Sequence, residues 1–559
     1  MSKLDATTIA IISRGLHAAA EEMGANLIRS AFSTVVREAR DCSTGLLDPG
    51  GDVVAQAEMI PMQTAALSMS FKAARDTLEL SNVAPGQAII MNDPYHGGQH
   101  LNDLILFTPI FFDGVLLGWA GSTAHHLDIG GGSAGVNTRA TDLIQEGLVL
   151  PPILFDIERD WNGGAIETIL AANIRTPEIG VGDMNAQFAA NYIGAERVSD
   201  LCRKYGAEGL WQAMVEVKDY SERRVRSGIE EIADGTYTGE ARIDEDVFDP
   251  NPVNIKVEVI VKGSDVWMDF AGTDPQLKSM FNCPLSSAHA AAFAAIRSII
   301  QDKDIPANDG CNRSLHLTFP KGSVLNPNPP APVRARMTSA YRAFDAIHMA
   351  LSKAAPDRVP AQGYNCTTAM YFTQQRDDGS FRVLADILGG GYGGCREYDG
   401  ADGVDCILSN CSNTPVESIE QVHPHLRLKS YGLLADTGGA GEWRGGLGFR
   451  REVEIIEEGV FFNLYTDHFK FPPNGVHDGL PGARGKLSVL RGEVVIDLGS
   501  NTHFDLEVGD IVRLSVGGGG GFGDPKARSR EAVERDIEDG RITMAHAQEM
   551  YGYAEAAAE

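Results

Sequence analysis

Near the start of the chain, Ile9, Ile12, Leu16, Ala19, Met23 and Leu27 recur at three- and four-residue steps. That spacing places them on one face of an amphipathic helix. Asp5 or Thr7 is its natural cap, and the helical stretch is expected to end near Arg40, with Asp41 directly after it. Asp48-Pro49-Gly50-Gly51 is a turn, Val53 to Ala55 a short strand, and residues 65–79 another helix. Short apolar runs follow: Ala88–Met91, Leu104–Ile110 and Val115–Ala124. Each is bounded by turn residues, so each predicts a strand. A helix with one polar face is expected over residues 209–233. Strict alternation over 236–271 predicts half-buried antiparallel strands, and residues 286–301 form a small-residue helix. NPNPPAP at 326–332 is an extended linker or rigid loop. The expected fold is therefore mixed α/β (α+β) and multi-domain, with strand-rich central regions and a helical N-terminus. Four segments are expected: residues 1–235, a strand-rich 236–330 with its packing helix, a glycine-rich α/β region at 331–526 and a helical tail at 527–559.

A length of 559 residues exceeds what one core normally organises. The formal net charge of −28 argues against nucleic acid or an anionic membrane as the main partner. The first residues carry acids and lack a long apolar core, so they do not read as a signal peptide. No long uncharged apolar run predicts a membrane span. None of the eight cysteines forms a C-x-x-C pair, and reduced thiols in a cytoplasmic protein are the simplest expectation.

The chemistry concentrates between Asn92 and Asp128. NDPYHGGQHLND carries Asp93, His96, His100 and Asp103, and STAHHLDIGGG carries His125, His126 and Asp128. The chain has 14 histidines, and four of them fall within positions 96–126, where a uniform scatter puts about one. A lone histidine is usually a hydrogen-bonded core group. Four of them beside acids, at the ends of three strands, point instead to a site. Imidazole and carboxylate together suit Zn, Mn or Fe with positions left open. The residues by themselves leave open which of His96, His100, His125 and His126 are ligands. Cys42, beside Asp41, reads as a buried structural thiol.

Other chemistries find little support. The glycine runs LGGGYGG and SVGGGGGFGDP lack the Gly-Lys-Ser/Thr of a phosphate loop. No strand–helix unit with a distant acid marks a dinucleotide site. The runs therefore read as close backbone packing or mobile loop. No G-x-S-x-G elbow is present.

Six long motifs occur in order along the chain: NDPYHGGQHLND, AHHLDIGG, IQEGLVLPP, NTPVESIE, DTGGAGEWRGGLGFRRE and GGGGGFGDP. This series resembles the hydantoinase B/oxoprolinase family over nearly the whole length. The resemblance implies a B-type chain that works with a hydantoinase A-type subunit, in a hetero-oligomer such as α2β2. The partner binds ATP with Mg. Such pairs hydrolyse cyclic amides such as hydantoins, 5-oxoproline or lactams, and related complexes carboxylate ketones such as acetone or acetophenone. Carried onto this sequence, the resemblance implies a divalent metal held by Asp41, His100, Asp103 and His125. His126 and Asp128 then stand behind the ligands or transfer protons, and His126 or His96 accepts the proton of the attacking water. Gln99 departs from the family, which often has a small hydroxyl residue there.

Overall fold

Asp5 accepts a hydrogen bond from the backbone N–H of Thr8 and caps α1 (Ala6–Ser30), whose Ile12, Leu16, Ala19, Met23 and Leu27 are all buried. In this computed structural model, which describes residues 4–554, the helix stops short of Arg40. A single further turn, Thr34–Arg37, follows. The chain then enters a strand that periodicity did not announce. This is β1 (Cys42–Leu47), with all six residues buried. A strand covered on both faces shows no alternation, so its pattern is silent.

β1 belongs to a six-stranded sheet with β2 (Val53–Gln56), β3 (Gln87–Met91), β4 (Asp103–Phe112), β5 (Val115–His125) and β6 (Ile153–Asp156), in the order β2-β1-β5-β4-β3-β6. The pairs that build the site are antiparallel. Cys42 lies opposite Ala124, and Asp103 lies opposite His125. Alternate residues point to opposite faces. One face, with Ala120 and Ala124 of β5, packs on α1 and on residues of a long helix, including Val198, Leu210 and Met214. The other, with Ile105, Phe107 and Trp119, packs on Leu67, Phe71 and Ala74 of α2 (Pro61–Thr77).

The long helix is α3 (Pro177–Ile229), interrupted only at Gly206, which takes φ 74°. The apolar pattern indicates just its second half. The first half buries Asp183, Gln187 and Asn191 against the sheet. Each of these polar side chains finds a hydrogen-bond partner there. Gln187 Nε2 donates to the Leu104 carbonyl at 3.0 Å, Asn191 Nδ2 to the Leu106 carbonyl at 3.2 Å, and Asp183 accepts from the N–H groups of Phe32 and Ser33. Polar residues on the inner face erase the hydrophobic periodicity.

The alternating region forms β7 (Gly235–Ile243), β8 (Val253–Lys262) and β9 (Asp265–Asp269); β9 pairs with β8 and with β10 (Leu315–Thr318). The chain divides into two compact units. The first holds the described residues through Thr238, Lys256–Phe344 and Leu408–Asn410. The second holds Gly239–Ile255, Asp345–Ile407 and the described residues from Cys411 onward.

In the second unit, β11 (Thr368–Gln375), β12 (Phe381–Leu388), β15 (Val460–Tyr465) and β18 (Asn501–Asp505) form one antiparallel sheet. β13 (Leu426–Leu433), β14 (Phe449–Ile455), β16 (Lys486–Arg491), β17 (Val494–Leu498) and β19 (Ile511–Ser515) form another. Their apolar faces share one core, with Met370 and Phe372 of the first beside Val453 and Leu514 of the second. The glycine runs are buried in this unit. Gly391, Gly394 and Gly439 donate backbone bonds to the carbonyls of Gly517, Gly520 and Gly519. A Cβ on Gly519 lands 2.0 Å from the Tyr392 carbonyl oxygen. The runs are backbone stacked on backbone, with no room for side chains. All eight cysteines are free thiols. Among the described residues, no helix is long and apolar enough to cross a membrane.

Two histidines of this unit sit deep in protein. His423 is 5% exposed and His425 0%, with ring centres 5.7 Å apart. None of their ring nitrogens has a hydrogen-bond partner. Burial, then the charges of His425 and Arg382, pushes His423 down to about 3. Burial and Arg382 push His425 down to about 4. The unfolded chain, with imidazole near 6.5, therefore binds more protons below that pH than the fold does. Stability is full above about pH 6.5 and falls as pH drops toward the folded values. Between pH 7 and 5 the expected loss is on the order of 2 kcal/mol per ring. A double variant, His423→Phe with His425→Leu, flattens the slope by about that sum. Denaturant unfolding at pH 7, 6 and 5 checks this; identical slopes in the two proteins refute it.

Candidate metal centre

The register of β4, β5 and β1 brings three sequence-distant side chains to one rim. Asp103 opens β4 directly opposite His125 at the end of β5. Asp41 immediately precedes β1, and its carbonyl accepts from the His125 N–H at 3.0 Å. His100 sits in the turn before β4, where the Asp103 N–H donates to its carbonyl at 3.0 Å. His100, Asp103 and His125 are all buried, and they offer ligand atoms within 4.8 Å of one another.

The distances converge. His100 Nε2 lies 3.2 Å from His125 Nδ1 and 3.1 Å from Asp103 Oδ1. His125 Nδ1 lies 3.5 Å from Asp103 Oδ1 and 3.6 Å from Asp41 Oδ2. Donor atoms bound at about 2.0–2.1 Å to one tetrahedral ion stand roughly 3.3 Å apart, so the set has the spacing of a coordination shell. The tautomer also fits. His100 Nδ1 lies 3.1 Å from the Arg334 carbonyl, and a carbonyl can only accept. Nδ1 therefore carries the proton, and the Nε2 lone pair faces the cluster.

The charge state suits a cation. Burial, then Arg336, holds His100 well below the usual imidazole range, and burial pushes His125 down to about 4. Both rings are neutral at pH 7. Burial alone raises the Asp103 carboxyl, but the positive charge of Arg336 beside it helps to hold it well below the usual carboxylate range. Two neutral imidazoles and an ionised carboxylate need to lose no proton before taking up a divalent ion.

Groups that the sequence did not mark complete the frame. Gln63 of α2 donates to Asp41 Oδ1 at 2.9 Å and faces Asp103 Oδ1 at 3.4 Å. Arg336, the first residue of α5 (Arg336–Leu351), with α4 (Leu285–Ile299) preceding it in the chain, donates to Asp103 Oδ2 at 2.6 Å. It also reaches Gln99 Oε1 at 3.2 Å. Gln99, the departure from the family pattern, donates to the Met62 carbonyl at 2.6 Å, so it braces the start of α2. Arg334 and Arg336, two cations in an otherwise apolar PVRARM, were the available signal.

The remaining predicted site residues lie elsewhere. His126 faces the opposite side of the strand, with Nε2 3.1 Å from Gln187 Oε1 on α3. Its N–H donates to the Asn102 carbonyl, and its own carbonyl accepts from Asn102 Nδ2, so Asn102 holds the backbone here on both sides. Asp128 accepts from the Arg175 N–H at 2.5 Å and pairs with its guanidinium at 3.3 Å. His96 is half-exposed, with Nδ1 2.8 Å from Asp93 Oδ2. The Cys42 thiol is pushed well up, by burial and then by Asp41, and stays protonated.

The hydantoinase B/oxoprolinase family matches residues 5–525, and the chain belongs to that family. It is 35% identical to the B component of a putative D-/L-hydantoinase from Pseudomonas sp. (strain NS671) over 573 residues, covering 99% of this chain and 95% of that one. It is 28% identical to the beta chain of caprolactamase from Pseudomonas jessenii, over 99% of this chain and 96% of the other. In fold it matches the crystal structure of ATP-dependent caprolactamase from Pseudomonas jessenii at a TM-score of 0.91, with 24% identity, across 100% of this chain and 97% of that one. Nucleotide-free acetone carboxylase shares the fold at a TM-score of 0.87 and 18% identity, across 98% and 79%.

The Asp103–Arg336 pair is 1% and 5% exposed at its side chains. Arg336→Met strands a buried carboxylate and is expected to cost about 3–5 kcal/mol. Adding Asp103→Asn recovers part of that loss. A double-mutant cycle in urea reads the coupling; strictly additive losses contradict the pairing.

Proposed function

We propose that this chain is the metal-bearing, B-type component of an ATP-dependent cyclic-amide hydrolase. It works in the cytoplasm with a hydantoinase A-type subunit that binds ATP and Mg, in a hetero-oligomer such as α2β2. One observation carries the reading: His100 Nε2, His125 Nδ1 and Asp103 Oδ1 converge within 3.1–3.5 Å. Its relatives include components of a putative D-/L-hydantoinase and of a caprolactamase. Those names support hydantoin- or lactam-type substrates.

The ligand set is His100, His125, Asp103 and Asp41. A divalent ion of the Zn, Mn or Fe class, when bound, supplies Lewis acidity toward a carbonyl and a water. The chain's own residues do the rest. Asp103 stays ionised because Arg336 holds one of its oxygens, which leaves the other for the cluster. Gln63 orients Asp41. A cyclic amide resists attack because its carbonyl is resonance-stabilised, and phosphorylation of the amide oxygen at the partner's ATP site turns that oxygen into a leaving group. His126 and Asp128 hold the strand end and its following loop from the far side.

The test is co-expression with an A-type partner. Hydantoin, 5-oxoproline and caprolactam are each supplied with ATP, and acetone and acetophenone with ATP and bicarbonate. Ring opening that needs both chains and is abolished by a chelator is expected. Turnover of the ketones alone makes the chain part of a carboxylase instead.

Metal analysis is expected to find one divalent ion per wild-type chain and close to none in His100→Ala or Asp103→Ala. His126→Ala keeps the metal. Unchanged occupancy in folded His100 and Asp103 variants sinks the ligand assignment.

This chain alone is expected to bind no ATP at micromolar concentrations, because it lacks a phosphate loop with its lysine. Calorimetry showing such binding overturns the division of labour.

A further inference from the structure

We propose that Glu146 is a positioning residue for the metal centre, acting through the 333–336 segment on both His100 and Asp103. The inference rests on the metal-site reading above.

Glu146 closes a short 3-10 turn, Leu143–Glu146, and is 8% exposed. Its two oxygens take two successive backbone donors. Oε2 accepts from the Val333 N–H at 3.0 Å, and Oε1 from the Arg334 N–H at 2.8 Å. The clamped segment then makes two contacts with the candidate ligands. The Arg334 carbonyl faces His100 Nδ1 at 3.1 Å and sets its tautomer. The Arg336 guanidinium donates to Asp103 Oδ2 at 2.6 Å. A carboxylate that never touches the cluster therefore fixes the position of the groups that orient two of its ligands.

The chemistry of the clamp calls for a carboxylate. Two convergent N–H donors need two acceptor oxygens, and a glutamine presents an NH2 to one of them. Isolating a carboxylate is costly: burial raises the Glu146 carboxyl to about 7 against the opposing pull of the Val333 and Arg334 amides. Arg334 also lowers it, and Asp142 raises it. The segment it holds lies 187 and 188 residues away along the chain, so local sequence does not supply this order.

A matched control exists in the second unit. Asp244 also clamps backbone, accepting from the N–H groups of Phe469, Lys470 and Phe471, and it has no part in the centre.

The experiment uses the full chain, with zinc as the probe. Glu146→Gln is expected to lower zinc affinity about 10–100-fold, the usual effect of losing a group that orients a metal ligand. The 15N spectrum of His100 is expected to shift from a single Nδ1–H tautomer to a mixture. Glu146→Asp, which keeps both acceptor oxygens, recovers part of the affinity. Asp244→Asn lowers the melting temperature but leaves zinc affinity and the His100 spectrum unchanged. Equal zinc affinity in wild type and Glu146→Gln overturns the proposal, as does an equal drop in Asp244→Asn.

If Glu146→Gln does not fold, hydrogen exchange in the wild type decides. Zinc binding must slow exchange of the Val333 and Arg334 amides, because coupling is reciprocal. No change there overturns the proposal. A wild type that takes up no zinc or other divalent ion is a different result: it removes the metal reading itself, and this role with it.

Discussion

The antiparallel register of β5 against β4 and β1 is the constraint on which the rest depends. It sets Asp103 opposite His125, and β1 opposite the same strand end. Side chains alternate along a strand, so a slip of one residue sends His125 to the α3 face and His126 to the cluster face. The register cannot slip without exchanging Trp119, which packs with Phe71 and Phe107 on one face, for Ala120 and Ala124, which pack under α1 on the other. Along this part of β5 the large Trp119 fills one side and the small Ala120 and Ala124 the other. Core packing thus selects which of two neighbouring histidines faces the site.

Electrostatics follow from that placement. A rim buried on both sides would not tolerate an ionised carboxylate alone. Asp103 is ionised because the Arg336 guanidinium pairs with it, and the rings are neutral because burial and the same arginine discourage a second positive charge. Arg336 therefore tunes acid and bases together. The Glu146 clamp holds the segment that carries it, so the order of the centre extends through backbone amides well beyond the ligands.

The second unit solves a different packing problem. Its glycine runs bring backbones closer than any side chain allows, and their amides and carbonyls satisfy one another across segments. The same glycine density that superficially resembles a phosphate cradle is here a packed interior.

The sequence by itself determined the mixed α/β class, the amphipathic first helix with its Asp5 cap, the strands at 88–91, 104–110 and 115–124, and the family. Each of these lives in local periodicity, local capping or long contiguous motifs. It also marked the histidine-rich rim, because rare residues clustered at strand ends. Only the tertiary structure decided the rest. β1 and the first half of α3 gave no periodic signal, one because both its faces are buried, the other because its inner face carries Asp183, Gln187 and Asn191. Nothing local distinguishes His125 from His126, since strand alternation assigns faces only once a register exists. Gln63 and Arg336 reach the centre across long stretches of chain, and Glu146 reaches the segment that carries Arg336; these hydrogen bonds form only when the sheet, α2 and the 333–336 segment are packed together.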